Sequence, residues 1–294
     1  MEWKSRRIEA ILEQALVEDK ATSDVTTALT IEPGLRASAT ILAREECVLS
    51  GLGCIPRFLE IFARLDGRSS GRYEVVSHPE IFDGIRLRKG QAVAVIRHNA
   101  RVILGCERVI LNLMQRMSGI ATLTRRYVDA VEDTGTKILD TRKTVPGLRI
   151  LDKYAVCCGG GENHRLDLSD GILIKNNHIT LGGGITKVLD RARERRKPGQ
   201  TIDIEVRNAE ELELALEHGA ESLLLDNMTP AEVKKSVKTV RDRGLSIPVE
   251  ASGGITFENI RKYALAGPDY ISVGALTHSA SAVDISMRIT AEIY

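Results

Sequence analysis

The sequence has no apolar run near the roughly 18 residues that a membrane-spanning helix needs. Its opening residues, MEWKSRRIEAILEQAL, interleave charges with apolar positions, so no uninterrupted signal core is present either. Cysteine is scarce: Cys47, Cys54, Cys106, Cys157 and Cys158 are an odd set with no CxxC, which indicates neither a disulfide framework nor a zinc site. Cys157 and Cys158 read as reduced packing residues. Charge of one sign is lacking too. Lys and Arg number 41 against 40 Asp and Glu, a net charge of +1, so the basic field of a nucleic-acid binder is missing. No Walker loop, no GxGxxG after the first strand and no Ser-His-Asp arrangement can be read, which argues against nucleotide hydrolysis, hydride transfer and acyl transfer. These absences lead us to expect a soluble cytoplasmic protein that engages neither membrane nor nucleic acid.

What remains is an ordinary globular chain. Its 294 residues are 43% hydrophobic and 28% charged, enough to bury a large core in one big domain or two smaller ones. The pattern changes near residue 115. Before it, short strand-like segments (37–43, 73–77 and 92–97) alternate with glycine-rich turns between two helical stretches, about 5–18 and 101–117. A sheet with helices packed on it is the simplest arrangement. After residue 135, apolar strands recur at 137–140, 171–175, 202–206, 222–225, 248–251 and 270–273. Helical patterns at 185–196, 209–217, 230–243 and 257–266 separate most of them. Asn208, Thr229 and Thr256 are placed as N-caps, and Gly219, Gly244 and Gly267 as stops. Such alternation means parallel βα units: a barrel slightly short of eight strands, with an open doubly wound sheet as the structural rival. The expected organisation is an N-terminal domain over 1–115, an α/β barrel over 116–276, and a tail over 277–294 packing back on the first domain.

In a βα barrel the reacting groups stand at the C-terminal ends of the strands. Here each strand ends in polar chemistry: Asp140, Arg142 and Lys143; Lys175 and Asn176; Asp203 and Glu205; Asp226 and Asn227; Ser252-Gly253-Gly254; Gly274-Ala275. Asp203 and Glu205, two apart on a strand, point the same way. Glu205, nearer the strand end, is the favoured ligand contact. The segment Asp140 to His178 is dense in cations and hydrogen-bonding groups, with Arg142, Lys143, Arg149, Lys153, His164, Arg165, Lys175 and His178 around a Gly159–Gly161 run. Gathering cations beside buried strands costs repulsion and desolvation, so a polyanionic ligand is the natural reason. Arginine and lysine bind carboxylates and phosphates. Facing carboxylates hold Mg²⁺ or stabilise a developing cation. A phosphorylated sugar reacting with an anionic partner suits both. A Schiff-base aldolase using Lys175 and a non-catalytic sensor of a phosphorylated metabolite remain open on residues alone.

The same residues carry a resemblance to a known family. ERVILNLMQRMSGIAT (107–122), DTRKTVPGLR (140–149), KYAVCCGGGENHR (153–165), LIKNNH (173–178), LLLDNM (223–228), EASGGI (250–255) and ISVGALTHSA (271–280) resemble quinolinate phosphoribosyltransferase, the decarboxylating nicotinate-nucleotide pyrophosphorylase of NAD biosynthesis. The resemblance implies an α/β fold: an N-terminal α/β sandwich followed by an incomplete, seven-stranded barrel of TIM type. It implies a homodimer or hexamer with shared active sites. Arg142, Lys143, His164, Arg165 and Lys175 would surround quinolinate, with Arg108 reaching in from the partner subunit. Glu205 and Asp226 would face the ribose and the Mg²⁺-pyrophosphate of phosphoribosyl pyrophosphate. Ser252, Gly253, Gly254, Gly274 and Ala275 would hold the 5′-phosphate, and Lys143, Lys175, Glu205 and Asp226 would carry the chemistry. Asn176 stands where the family usually has Asp, and Asp203 where it often has Glu.

Overall fold

A computed structural model describes residues 1–67 and 72–292; the last two residues of the expected tail lie outside the described set. The chain forms two compact units. The first comprises Met1–Leu123, Val145–Gly160 and Ala280–Tyr294, and the second Thr124–Thr144 and Gly161–Ser279.

Strands of the first unit are β1 (Arg36–Ala43), β2 (Cys47–Val48), β3 (Glu74–Val76), β4 (Arg86–Leu87) and β5 (Ala92–Asn99). The second unit holds β6 (Lys137–Leu139), β7 (Ile172–Ile174), β8 (Ile202–Val206), β9 (Ser222–Asp226), β10 (Val249–Ser252) and β11 (Tyr270–Ser272), and the chain returns to the first unit with β12 (Ile285–Ala291). The helices in chain order are α1 (Arg6–Glu18), α2 (Val25–Thr30), α3 (Cys54–Asp66), α4 (Ala100–Asp129), α5 (Arg149–Cys158), α6 (Asn176–Gly182), α7 (Ile185–Arg195), α8 (Ala209–Glu217), α9 (Pro230–Asp242), α10 (Ile260–Ala264) and α11 (Ala275–His278).

In the first unit, β12, β1, β5 and β3 form an antiparallel sheet in that order. Strand β1 alternates strictly, with Ala37, Ala39, Ile41 and Ala43 buried. That face joins a core with Ile8, Leu12 and Leu16 of α1 and Ile55, Phe58, Leu59 and Phe62 of α3. Helix α4 runs to Asp129, well past the expected Met117. Its buried positions include Ile103, Cys106, Ile110, Met114 and Met117. The glycine at 119 is required by packing: a methyl group there would lie 2.1 Å from the Ser281 carbonyl oxygen.

Helix α5 and the residues before it belong to the first unit. The cation-dense stretch is therefore divided. Arg149 and Lys153 lie on α5 in the first unit, and Lys153 is buried there, whereas Arg142, Lys143, His164, Arg165 and Lys175 belong to the second.

In the second unit six parallel strands follow the order β6-β11-β10-β9-β8-β7. The seventh strand expected of the barrel is reduced to one bridge. Glu162 pairs in parallel with Leu139 of β6, through Glu162 N–H to the Ile138 carbonyl at 2.8 Å and Asp140 N–H to the Glu162 carbonyl at 3.1 Å. The physical reason is local. Gly160 at φ 88° turns the chain just before it, and just after it the buried Asp140 carboxylate draws off the His164 N–H, at 2.8 Å. Helices α8 and α9 start where their caps predict: Asn208 accepts from Glu211 N–H at 2.9 Å, and Thr229 closes a reciprocal box with Glu232. Helix α10 begins later than expected, at Ile260. The Asn259 side chain accepts the Thr256 N–H and donates to the Gly254 carbonyl, which holds 254–259 as a turn.

Candidate active site at the C-terminal edge of the parallel sheet

Alternation along the strands decides which side chains face the barrel interior. On β8, Ile202, Ile204 and Val206 are fully buried, while Asp203 and Glu205 are partly exposed on the opposite face. The register then aligns Glu205 with Leu224 and Glu250, and Asp226 with Ser252. An interior row of acids and hydroxyls is a poor core and a good site.

Each strand end supplies a different part. After β7, Lys175 is the N-cap residue of α6, and its N–H donates to His178 Nδ1 at 2.9 Å. Its ammonium stands 3.9 Å from Glu205 Oε2, and the Asn176 N–H approaches Glu205 Oε1 at 3.4 Å. Lys175 and Glu205 are thus neighbours across adjacent strands, and Asn176 reaches the same carboxylate through its backbone.

After β9, Asp226 accepts from the Asn227 amide at 2.8 Å, and the Asn227 N–H donates to the Ser252 carbonyl at 2.8 Å. Asn227 is left-handed at φ 56°, a conformation asparagine tolerates. Its side chain fills the space over Gly253, where a Cβ would stand 2.3 Å from Oδ1. Gly253 is also left-handed, at φ 91°. The turn of Ser252, Gly253 and Gly254 is thus tied to Asp226, and the Ser252 hydroxyl accepts from Ser272 at 2.9 Å.

After β11, Gly274 and Ala275 open the short helix α11. The Lys143 stem lies against Gly274, 3.1 Å from where a Cβ would be, and the Lys143 carbonyl accepts from Thr277 Oγ1 at 2.9 Å.

The bridge at Glu162 delivers His164 and Arg165. His164 Nε2 stands 3.3 Å from Glu250 Oε2, and Arg165 donates to the Gly171 carbonyl at 3.1 Å. Arg165 Nε is buried without a hydrogen-bond partner among the described residues. Burial first, and the Arg142 charge second, push the Arg165 guanidinium below its ordinary value, with Asp203 opposing. Arg142, Arg165 and Asp203 therefore share one electrostatic neighbourhood.

Asp203 is the perturbed acid. Burial raises its carboxyl above the usual range; Ser222, His164 and Arg165 pull it down, and Glu250 pushes it further up. Such a group contributes stability that is full below its unfolded value of 3.8 and is lost as pH rises through its raised folded value. Asp203→Asn should therefore melt higher than wild type at pH 7–8. The gap should shrink as the pH falls, in thermal melts across pH 4–8; a constant gap would contradict the assignment.

The second unit thus brings together Arg142, Lys143, His164, Arg165, Lys175, Glu205, Asp226, Ser252, Gly253, Gly254, Gly274 and Ala275 along one edge of one sheet. Arg108 belongs to the first unit, exposed on α4 beside an apolar groove lined by Ile11, Ala15, Leu113, Val145 and Leu148. Sequence reasoning passed over Glu250 and ranked Asp203 second. The signal for Glu250 was available, since it stands two residues before Ser252 on the same strand.

No group of three or more His, Cys, Asp or Glu side chains is arranged to hold a metal ion among the described residues. Two carboxylates on adjacent strands suit Mg²⁺, which keeps several waters and is carried largely by phosphate oxygens. No described helix is long and apolar enough to cross a membrane.

Known proteins match this arrangement over nearly its full length. The quinolinate phosphoribosyl transferase N-terminal domain matches residues 24–118 and the C-terminal domain residues 120–288. The nicotinate-nucleotide pyrophosphorylase (carboxylating) of Mycobacterium leprae is 40% identical over 279 residues, covering 95% of this chain and 95% of that protein. A mitochondrial quinolinate phosphoribosyltransferase (decarboxylating) of Nicotiana glauca is 37% identical over 305 residues, covering 97% and 83%. The crystal structure of nicotinate-nucleotide pyrophosphorylase from Ehrlichia chaffeensis superposes with a TM-score of 0.84 at 38% identity, covering 96% of this chain and 98% of that one. The chain therefore belongs to the quinolinate phosphoribosyl transferase family.

Proposed function

We propose that this protein transfers the phosphoribosyl group of phosphoribosyl pyrophosphate to quinolinate with decarboxylation. The products are nicotinate mononucleotide, pyrophosphate and CO₂, a step of NAD biosynthesis. One observation carries the reading: cations and two inward acids end on neighbouring strands of one sheet edge, where Lys175 faces Glu205. A pure phosphate binder gains nothing from two facing carboxylates.

In this reading Arg142, Arg165 and Lys175 hold the two carboxylates of quinolinate and fix the ring, with Lys143 and His164 lining the same end. Its nitrogen attacks C1 of the sugar as the C1–O bond to pyrophosphate breaks. Positive charge grows on the ribose, and Glu205 or Asp226 stabilises it. Ser252, Gly253, Gly254, Gly274 and Ala275 hold the 5′-phosphate, the glycines through backbone N–H groups. Glu205 and Asp226 would also hold Mg²⁺, which when bound offsets charge on the leaving group. Positioning of this kind is worth up to roughly 7–11 kcal/mol. The bond from C2 to its carboxylate then breaks, CO₂ departs, and the electron pair left on C2 takes a proton. The quaternised ring nitrogen is the electron sink, so no further cofactor is needed.

Purified protein given quinolinate, phosphoribosyl pyrophosphate and Mg²⁺ should release nicotinate mononucleotide and CO₂ in equal amounts. Turnover of nicotinate in place of quinolinate, without CO₂, would overturn the reading. Arg108, exposed on α4, would serve a neighbouring subunit's site in a dimer or hexamer. Mixing Arg108→Ala with Lys143→Ala subunits should then restore part of the lost activity. No recovery after confirmed subunit exchange would count against shared sites.

A further inference from the structure

Glu250 has no role in the chemistry above, yet its setting is unusual. It sits on β10, 8% exposed, inside the barrel in line with Glu205. A carboxylate buried there needs partners, because stripping its water is expensive. One oxygen, Oε2, lies 3.3 Å from His164 Nε2. The other, Oε1, is buried with no hydrogen-bond partner among the described residues.

His164 is held at two further points, one on its ring and one on its backbone. Its Nδ1 accepts from the Arg165 N–H at 2.9 Å, and its own backbone N–H donates to the buried Asp140 at 2.8 Å. An Nδ1 that accepts carries no proton, so the neutral ring keeps its proton on Nε2, facing Glu250. The segment after the Glu162 bridge that presents Arg165 is then pinned at Asp140, at the Arg165 N–H and at Glu250.

We infer that Glu250 is a positioning residue for the diacid end of the site: by fixing the His164 ring it fixes the 163–165 segment and, with it, the Arg165 guanidinium. The inference rests on the functional reading above and adds a residue that reads no substrate directly. Removing it should loosen the quinolinate end and leave the phosphate end, built on Ser252 to Gly254 and Gly274, in place.

The test compares Glu250→Ala with Glu250→Gln, whose amide oxygen still accepts from Nε2–H. Alanine should raise the quinolinate KM by about tenfold or more and leave that for phosphoribosyl pyrophosphate within about twofold, with glutamine restoring most of the loss. The ¹⁵N signals of His164, read without substrate, should show the Nε2–H tautomer in wild type and Gln, and a mixture in Ala. A quinolinate KM within about twofold in the alanine variant, parallel rises in both KM values, or a glutamine variant no better than alanine would overturn the proposal. If alanine does not fold, the glutamine variant decides alone: an Nδ1–H ring in it would overturn the contact. A wild-type protein that makes no nicotinate mononucleotide would fell the functional reading, and the His164 signals would still decide whether Glu250 holds the ring.

Discussion

Replacing Lys175 with alanine should cost about 2–4 kcal/mol of transition-state stabilisation, roughly 30- to 1,000-fold in kcat/KM. The melting temperature should hardly move. The side chain is half exposed and stands 3.9 Å from Glu205, a distance and exposure at which an ion pair contributes little to folding. Its value lies in what it meets when substrate arrives: a carboxylate of the diacid, taken out of water beside other cations. Steady-state kinetics and a thermal melt on one preparation separate the two effects. Near wild-type turnover would remove Lys175 from the site. A large drop in melting temperature would make it a structural residue instead.

Replacing Arg116 with alanine should destabilise the protein by about 3–5 kcal/mol. Arg116 on α4 grips Asp152 on α5 with two bonds, Nε to Oδ1 at 3.0 Å and Nη2 to Oδ2 at 2.8 Å. Asp152 is wholly buried, and it also accepts the Val145 N–H at 3.2 Å. Loss of the guanidinium strands a buried carboxylate. Adding Asp152→Asn to Arg116→Ala should therefore recover part of the stability, because the stranded charge is gone. A bidentate pair, through Nη1 and Nη2, also joins Arg261 to Asp133, but both are exposed, and Arg261→Ala should change stability little. Denaturant titration of the set tests the contrast. Equal losses at the two sites would contradict it.

Much of this was legible in the sequence, and the reason is local physics. Strand β8 and helix α8 fall at the expected residues, because Ile202, Ile204 and Val206 alternate with acids and Asn208 caps the helix that follows. The inward pointing of Asp203 and Glu205 follows from period two alone. Non-local contacts were not legible. Helix α4 continues through Gly119, past the expected end at Met117. There the missing side chain admits the Ser281 backbone, more than 150 residues away in sequence. The apolar positions Leu151, Ala155 and Val156 make α5 a core helix of the first unit, a fact hidden by the cations interleaved with them. The seventh strand could not be placed because it is one residue wide, held by Glu162 against β6. Whether Asn176 in the family's usual Asp position matters is answered in part by its backbone. The contact to Glu205 uses the Asn176 N–H, which any side chain leaves intact.

A crystal structure of this protein with quinolinate bound tests the central claim most directly. The flat diacid should lie at the mouth of the parallel sheet, its carboxylates within hydrogen-bond distance of Arg142, Arg165 and Lys175, with Glu205 and Asp226 facing the ring nitrogen's side. Quinolinate bound away from the strand ends, or held there by none of those three cations, would contradict the account.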